Sequence, residues 1–233
     1  SFSSSASVFN QGATIQTNAG INVANSVTTN SGAVILNAGT GTVTVAAGMT
    51  LSTSGQLLTI TTDNMAISGD IATGVSMITL ECTTAGRTIG LGAGTGQLSM
   101  DANEMGFIAS TGMTIGGSVC GSQSVDGLAA PNTASLAGIL TLLATRDDTQ
   151  VTFAANPSTF NALAVQADNG VVVQADLSTV VGVLHLDGDA DDNSTTDEPN
   201  NITFADASDV IAATQLTLES TKGDLIRSGT MTM

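Results

Sequence analysis

The sequence predicts an all-β protein, a right-handed parallel β-helix (β-solenoid) of roughly a dozen short coils. An apolar–polar–apolar triplet recurs along the chain, as in Val43-Thr44-Val45, Leu58-Thr59-Ile60 and Ile202-Thr203-Phe204. This alternation is typical of strands with one buried and one exposed face. Gly, Asn, Ser or Asp stands in nearly every gap and supplies the corners. The chain has six Phe, no Trp and no Tyr, so aliphatic side chains must fill the core, which favours a narrow, repetitive cross-section.

Residues 1–233 are interpreted as a single elongated domain whose most regular part is the N-terminal third. There, the triplets are separated by Asn18-Ala19-Gly20 and Asn37-Ala38-Gly39. With about 20 residues per coil and about 4.8 Å between coils, the rod would be about 55 Å long. The start at Ser1, without an initiator Met or a signal-peptide pattern, predicts a mature product or one segment of a longer chain.

Three regions depart from the regular pattern. Residues 118–135 are predicted to form an irregular loop, because Gly, Ser, Ala and Pro interrupt the alternation. Residues 134–145 fit a short helix and a strand equally well, since their leucines share a helical face while Gly138 and the threonines weaken a helix. Residues 187–200 are predicted to be an acidic loop insertion between two strands.

The charge of the chain is strongly one-sided. Twenty acidic residues face four basic ones, which gives a formal net charge of −16. Nucleic-acid binding needs a basic surface and is excluded on this ground, and no apolar stretch is long enough for membrane insertion. Only 10% of the residues are charged, so Thr, Ser, Asn, Gly and Gln dominate the surface. Such a neutral surface is typical of extracellular fibres and adhesins, and we expect an extracellular or cell-surface location.

The two cysteines, Cys82 and Cys120, are too few for a disulfide scaffold. Both lie close to predicted strands, which allows two interpretations. They are either a pair of small buried side chains or a disulfide that links two coils. The disulfide would suit an oxidising compartment.

The strongest candidate for a metal site is the acidic segment that begins at Asp187. Asp187, Asp189 and Asp191 occupy positions 1, 3 and 5 of a calcium-loop spacing, and Asn193 and Glu198 complete the set of oxygen ligands. The spacing departs from that loop at position 6, where Gly is expected and Asp stands. The alternative is a solvated acidic loop without a metal. Structural Ca²⁺ is therefore the one cofactor that the sequence suggests.

Two N-glycosylation sequons occur near this segment, Asn193-Ser194-Thr195 and Asn201-Ile202-Thr203. Sequons also arise by chance in a chain rich in Asn and Thr. Asn193 is the better acceptor of the two, because it lies in the predicted loop.

No group of residues predicts catalysis, and the chain is not expected to be an enzyme. The single His185 occupies the polar position of a strand and has no second His or Cys for a zinc site or a catalytic pair. Asp147-Asp148 could provide paired carboxylates for glycoside hydrolysis, but the basic and aromatic groups that hold a sugar are nearly absent. The glycine-rich residues 92–96 lack the following Lys and helix of a phosphate loop and are interpreted as a turn.

Two stretches of the chain carry a degenerate repeat. They comprise Arg87-Thr88-Ile89-Gly90-Leu91-Gly92, Gln97-Leu98-Ser99-Met100 and Met113-Thr114-Ile115-Gly116, and, further on, Leu184-His185-Leu186-Asp187-Gly188-Asp189-Ala190-Asp191, Ile202-Thr203-Phe204-Ala205 and Leu216-Thr217-Leu218. Each stretch resembles a segment common in filamentous-haemagglutinin-like repeat proteins. The resemblance implies a right-handed parallel β-helix displayed outside the cell as an adhesin or a fibre element.

Three functions follow as hypotheses. The first is a structural fibre subunit that self-associates through the ends of the solenoid into a homo-oligomer or filament. The second is a cell-surface adhesin segment that binds a glycan or a surface, with a calcium-stabilised loop. The third is ice binding, for which Thr42/Thr44, Thr50/Ser52 and Thr59/Thr61 are the candidate pairs. It requires the same Thr pair in coil after coil, and Ser, Gly, His and Ala interrupt that repeat here.

Overall fold

The computed structural model describes residues 1–191 and 199–232. The chain is 46% strand and 4% helix. In chain order the first strands are β1 (Ser7–Phe9), β2 (Ala13–Gln16), β3 (Ile21–Val23), β4 (Val27–Thr29), β5 (Val34–Asn37), β6 (Thr42–Val45), β7 (Thr50–Ser52), β8 (Leu58–Thr61), β9 (Asn64–Ile67), β10 (Asp70–Ala72) and β11 (Met77–Glu81).

The central part contains both short helices. Its elements are β12 (Ile89–Gly92), β13 (Leu98–Met100), α1 (Ala102–Gly106), β14 (Ile108–Ala109), β15 (Gly112–Gly116), β16 (Gln123–Asp126), α2 (Ala130–Thr133) and β17 (Leu140–Ala144). The last part contains β18 (Val151–Phe153), β19 (Ser158–Phe160), β20 (Leu163–Ala167), β21 (Val171–Val173), β22 (Leu177–Thr179), β23 (Leu184–Asp187), β24 (Ile202–Phe204), β25 (Ser208–Ile211), β26 (Leu216–Glu219), β27 (Leu225–Arg227) and β28 (Met231–Thr232).

The strands stack in parallel on three faces, which confirms the predicted all-β parallel β-solenoid. The threonine face is a continuous nine-stranded sheet in the order β2-β5-β8-β11-β15-β17-β20-β23-β26. The second face joins β1-β4-β7-β10-β14 and β19-β22-β25-β28, with the Ser110–Leu136 bridge between them. The third face joins β3-β6-β9 and β13-β12-β16-β18-β21-β24-β27. The Ser99 N–H connects its two parts by donating to Asn64 Oδ1 at 3.1 Å.

A continuous aliphatic core lies between the three faces. On each strand the alternate side chains point inward, so that register-matched residues such as Leu58, Ile78 and Met113 form buried columns along the axis. The buried aromatic rings, Phe153, Phe160 and Phe204, lie in the C-terminal half. Burial of such side chains contributes about 1.5–3 kcal/mol each, and this is the main source of stability in a fold without a compact centre.

The coils vary in length, and the described part of the chain therefore has fewer coils than the dozen expected. Register-matched residues are 20 positions apart from Leu58 to Ile78 but 35 apart from Ile78 to Met113. The threonine face therefore has nine strands in the described part of the chain. Eight steps of about 4.8 Å give this face a length of about 38 Å.

Buried hydroxyls line the corner between the second face and the threonine face. Thr53, Thr73 and Thr179 each donate from Oγ1 to the carbonyl oxygen three residues further on, at 2.5, 2.8 and 2.8 Å. Ser110 makes a similar bond, donating to the carbonyl oxygen of Gly112, two residues further on, at 2.9 Å. Because each hydroxyl closes its own turn, the chain can bend there without leaving a buried carbonyl unpaired.

Two of the predicted irregular regions contain regular elements. Residues 118–135, expected to be an irregular loop, include β16, which pairs with both β12 and β18, and α2. Residues 134–145 form β17 rather than a helix, because pairing with β15 and β20 satisfies the backbone. Within 187–200, Asp187 is the last residue of β23, and residues 192–198 lie outside the described part of the chain.

Candidate functional site

The threonine face carries a column of outward hydroxyls. The register aligns nine outward residues along the axis: Thr14, Ile35, Thr59, Thr79, Thr114, Thr141, Ala164, His185 and Thr217. Four consecutive strands, β8, β11, β15 and β17, present Thr at this position. The next outward column reads Thr61, Glu81, Gly116 and Leu143 on the same strands. A single hydroxyl column therefore repeats along one direction, and the Thr pair of β8 does not recur on its neighbours.

The pairs on the other faces do not recur either. Thr50 and Ser52 of β7 stand beside Asp70 and Ala72 of β10. Thr42 and Thr44 of β6 stand beside Asn64 and Ala66 of β9.

The third face carries a groove lined by polar residues. Its volume is about 460 Å³, within the range of ligand sites. Strands β16 and β18 supply the floor, and the segment between β12 and β13 supplies a wall that includes Gly96. The other lining residues are all uncharged hydrogen-bonding groups: Thr88, Thr95, Ser122, Gln123, Ser124 and Thr152.

The wall of the groove is a backbone crossing made possible by glycine. β12 and β13 pair in parallel, although Ile89 and its partner Leu98 are only nine positions apart in the chain. A Cβ on Gly90 would overlap the Gly94 carbonyl oxygen, and a Cβ on Gly94 would overlap the Ser124 carbonyl oxygen. The glycine-rich residues 92–96 thus let the chain cross over the sheet at contact distance, a structural role that agrees with the turn expected from the sequence.

Only part of this groove could be predicted from the sequence. Thr152 belongs to a Val-Thr-Phe triplet that predicts a strand, whereas Ser124 falls in the segment expected to be a loop. The alternation in Gln123-Ser124-Val125-Asp126 is a signal for β16 that the flanking Gly and Ser residues obscure.

Cys82 and Cys120 form a disulfide, with their Cα atoms 5.3 Å apart. Both residues are buried. The Cys82 N–H also points to Cys120 Sγ at 3.0 Å. The bond links the coil that follows β11 with the coil that follows β15. Of the two interpretations that the sequence left open, the structure therefore shows the disulfide.

Beside the disulfide, the carboxylate of Asp63 joins two neighbouring coils. It accepts hydrogen bonds from the backbone N–H groups of Thr83 and Thr84, at 3.2 and 2.8 Å, and from the Thr84 hydroxyl. The Arg87 guanidinium lies 3.8 Å from it. Burial alone would raise the pKa of Asp63, but these hydrogen bonds and the Arg87 charge together lower the pKa below its ordinary value.

The candidate calcium residues that the structure describes are already engaged. Asp187 and Asp189 are buried, unlike the residues of a solvated loop, whereas Asp191 is exposed. Asp187 accepts from the Asp189 N–H at 3.1 Å, and Asp189 accepts from the Lys222 N–H at 2.6 Å. No group of three or more His, Cys, Asp or Glu residues in the described ranges is placed to hold a metal ion. Asn193 and Glu198 lie outside those ranges, so calcium binding stays a prediction.

The remaining candidate residues are spread over the surface. The Asn201 side chain is half-buried, and its Oδ1 accepts from the Asp224 N–H at 2.7 Å; the other sequon residue, Asn193, is not described. His185 lies on the threonine face with Nε2 3.3 Å from Glu219 Oε2. Asp147 and Asp148 are exposed in a turn.

Comparisons with protein-family models, with curated proteins and with solved structures found no match to this chain. The filamentous-haemagglutinin-like resemblance therefore stays a prediction. Among the described residues, no helix has the length and apolar character needed to cross a membrane.

Proposed function

We propose that this chain is an extracellular structural protein, a subunit or segment of a surface fibre that self-associates through its solenoid ends, and not an enzyme. The observation that carries the proposal is the set of parallel ladders around one aliphatic core. Each coil covers the core of the previous one, and the outermost coils offer strand edges to which a further coil can pair.

In the last described coils, a position of the core column is exposed. In β27, Leu225 is in register with the fully buried core residue Ile202, yet 54% of it is exposed. Because all the strands are parallel, contact between this edge and the β1–β3 edge of a second copy would extend the same three ladders. Such a contact is head-to-tail and does not close, which is the geometry of a filament.

Composition and the disulfide support an extracellular location. Disulfides persist in oxidising compartments, and Cys82 and Cys120 are bonded here. The surface is rich in Thr, Ser and Asn, with few charges for its size.

Sedimentation velocity over a range of protein concentrations, with negative-stain electron microscopy, tests the fibre. We expect rods that are longer than a single copy, whose nine-stranded face measures about 38 Å. Leu225→Asp places a charge in the end contact and should abolish the association. Val75→Asp is the matched control, because Val75 is 83% exposed in a turn on the side of the solenoid and should leave association unchanged. A monomer at every concentration would overturn the proposal.

The groove on the third face favours an adhesin that binds glycan as the second candidate function. Its uncharged hydroxyl and amide lining is complementary to a sugar. Ice binding has less support, since the Thr pair of β8 is not repeated on β11, β15 or β17. Thermal hysteresis measured with the purified chain would be evidence for ice binding.

A further inference from the structure

The hydroxyls that line the groove fall into two groups. The Thr88 hydroxyl accepts from the Gln97 N–H and the Ser122 hydroxyl from the Gln150 N–H, both at 3.1 Å, so these two hold the backbone. The hydroxyls of Thr95, Ser124 and Thr152 have no hydrogen-bond partner among the residues that the structure describes. Three donor–acceptor groups therefore face the groove and remain available to a ligand.

The floor that carries the hydroxyls of Ser124 and Thr152 is held in place. Gln123 is 2% exposed, and its Nε2 donates to the carbonyls of Ile115 and Leu143, at 3.1 and 2.8 Å, on the threonine face. Ser124 is in register with Gly90 on one side and Thr152 on the other. A site on paired strands loses little entropy when a ligand binds.

The lining selects the class of ligand. Without a charged side chain it offers no opposite charge to phosphate, carboxylate or a cation. Because no Val, Leu, Ile, Met or Phe lines it, it offers little to a peptide side chain or a lipid. We propose that the groove binds a neutral saccharide, whose hydroxyl groups both donate to and accept from Thr95, Ser124 and Thr152. This inference rests on the adhesin as the second candidate function.

The affinity of one groove is expected to be low. No aromatic ring lines the groove on which a sugar face could stack. If copies associate end to end, the grooves repeat along the rod and a long glycan can occupy several of them. Avidity from such a repeat can exceed the single-site affinity by about 10²–10⁴-fold.

Titration of the ¹⁵N-labelled chain with neutral hexasaccharides of glucose, β-1,4-, β-1,3- and α-1,4-linked, tests the proposal. The variant Ser124→Ala/Thr152→Val removes two of the hydroxyls. Valine is compatible with position 152 because Val172 occupies the register-matched position on β21. The matched control, Thr79→Val, makes the same change at an outward position of the threonine face.

We expect amide shifts in residues 88–96, 122–124 and 152 with at least one of these probes. The double variant should bind at least about tenfold more weakly, since each neutral hydrogen bond corresponds to a severalfold change in affinity, and Thr79→Val should bind like the wild type. If the double variant binds a probe as tightly as the wild type does, the groove is not the binding site. The proposal that the chain is an adhesin would then still stand. If no probe binds, the groove as a saccharide site and the adhesin function are both overturned. The fibre proposal is tested separately, by sedimentation.

Discussion

Removal of the disulfide is the sharpest test of the stability of this solenoid. Cys82 and Cys120 are 38 positions apart, and the loop-entropy relation assigns about 3.9 kcal/mol to closing a loop of that length in the unfolded chain. Measured disulfides typically contribute about 2–4 kcal/mol. We therefore expect Cys82→Ala/Cys120→Ala to lower the free energy of unfolding by about 2–4 kcal/mol. Alanine is the suitable replacement because both positions are buried and a serine hydroxyl would add an unpaired polar group.

Urea unfolding followed by circular dichroism measures this difference. The control is the wild-type chain unfolded and refolded in reductant, which removes the bond without changing the sequence. Its free energy of unfolding should equal that of the double variant. Because a solenoid can unfold coil by coil, amide hydrogen exchange should accompany the melt. Protection should fall most in β12, β13 and α1, which lie between the two cysteines.

Two results would refute the reasoning. A loss below about 1 kcal/mol would mean that the unfolded chain gains little freedom when the bond is removed. A uniform loss of protection along the chain would mean that the bond does not act on the enclosed coil in particular.

Three further predictions concern single sites. The pKa of Asp63 is lowered in the folded chain, so the contribution of its carboxylate to stability is complete above pH about 4 and is lost as the pH falls through the folded pKa. Urea unfolding measured at a series of pH values should show this loss in the wild type and not in Asp63→Asn. Gly94→Ala should lower the thermal unfolding midpoint because its Cβ meets backbone, whereas Gly106→Ala in α1 has free space and should raise it slightly. If residues 187–198 bind calcium, adding Ca²⁺ should raise the Tm of the wild type and should not raise that of Asp191→Asn. A wild-type Tm that Ca²⁺ leaves unchanged contradicts calcium binding.

Local sequence was sufficient for the strands but not for the lengths of the coils. Leu58-Thr59-Ile60 predicts β8 because alternation sets the buried face. Nothing local indicates that 35 positions separate Ile78 from its partner Met113, since that register depends on where the chain returns to the sheet. The strand β16 was missed for the same reason, because its pairing with β12 and β18 outweighs its weak local signal.

The candidate site was less predictable than the fold. A groove arises where the backbone crosses its own sheet, and only the tertiary structure shows that Gly94 lies against the Ser124 carbonyl, 30 positions away in the chain. Likewise, the spacing of Asp187 and Asp189 matches a calcium loop, yet both side chains are buried and accept hydrogen bonds from backbone N–H groups of the solenoid.

The longest coil carries the wall of the groove and Cys82, and the floor of the groove and Cys120 lie in the coils that follow it. Cys82 precedes the excursion that contains residues 90–96, and Cys120 is followed at once by Ser122 and Ser124 of the groove. The disulfide therefore links the coil that carries the wall of the groove to the coil that carries Ser122 and Ser124 of its floor. If the groove binds saccharide, Cys82→Ala/Cys120→Ala should weaken that binding even under conditions where the chain remains folded, because the ligand must then order the wall. The same titration of the labelled double variant measures it, and an affinity equal to that of the wild type would show that the glycine crossing holds the wall without the disulfide.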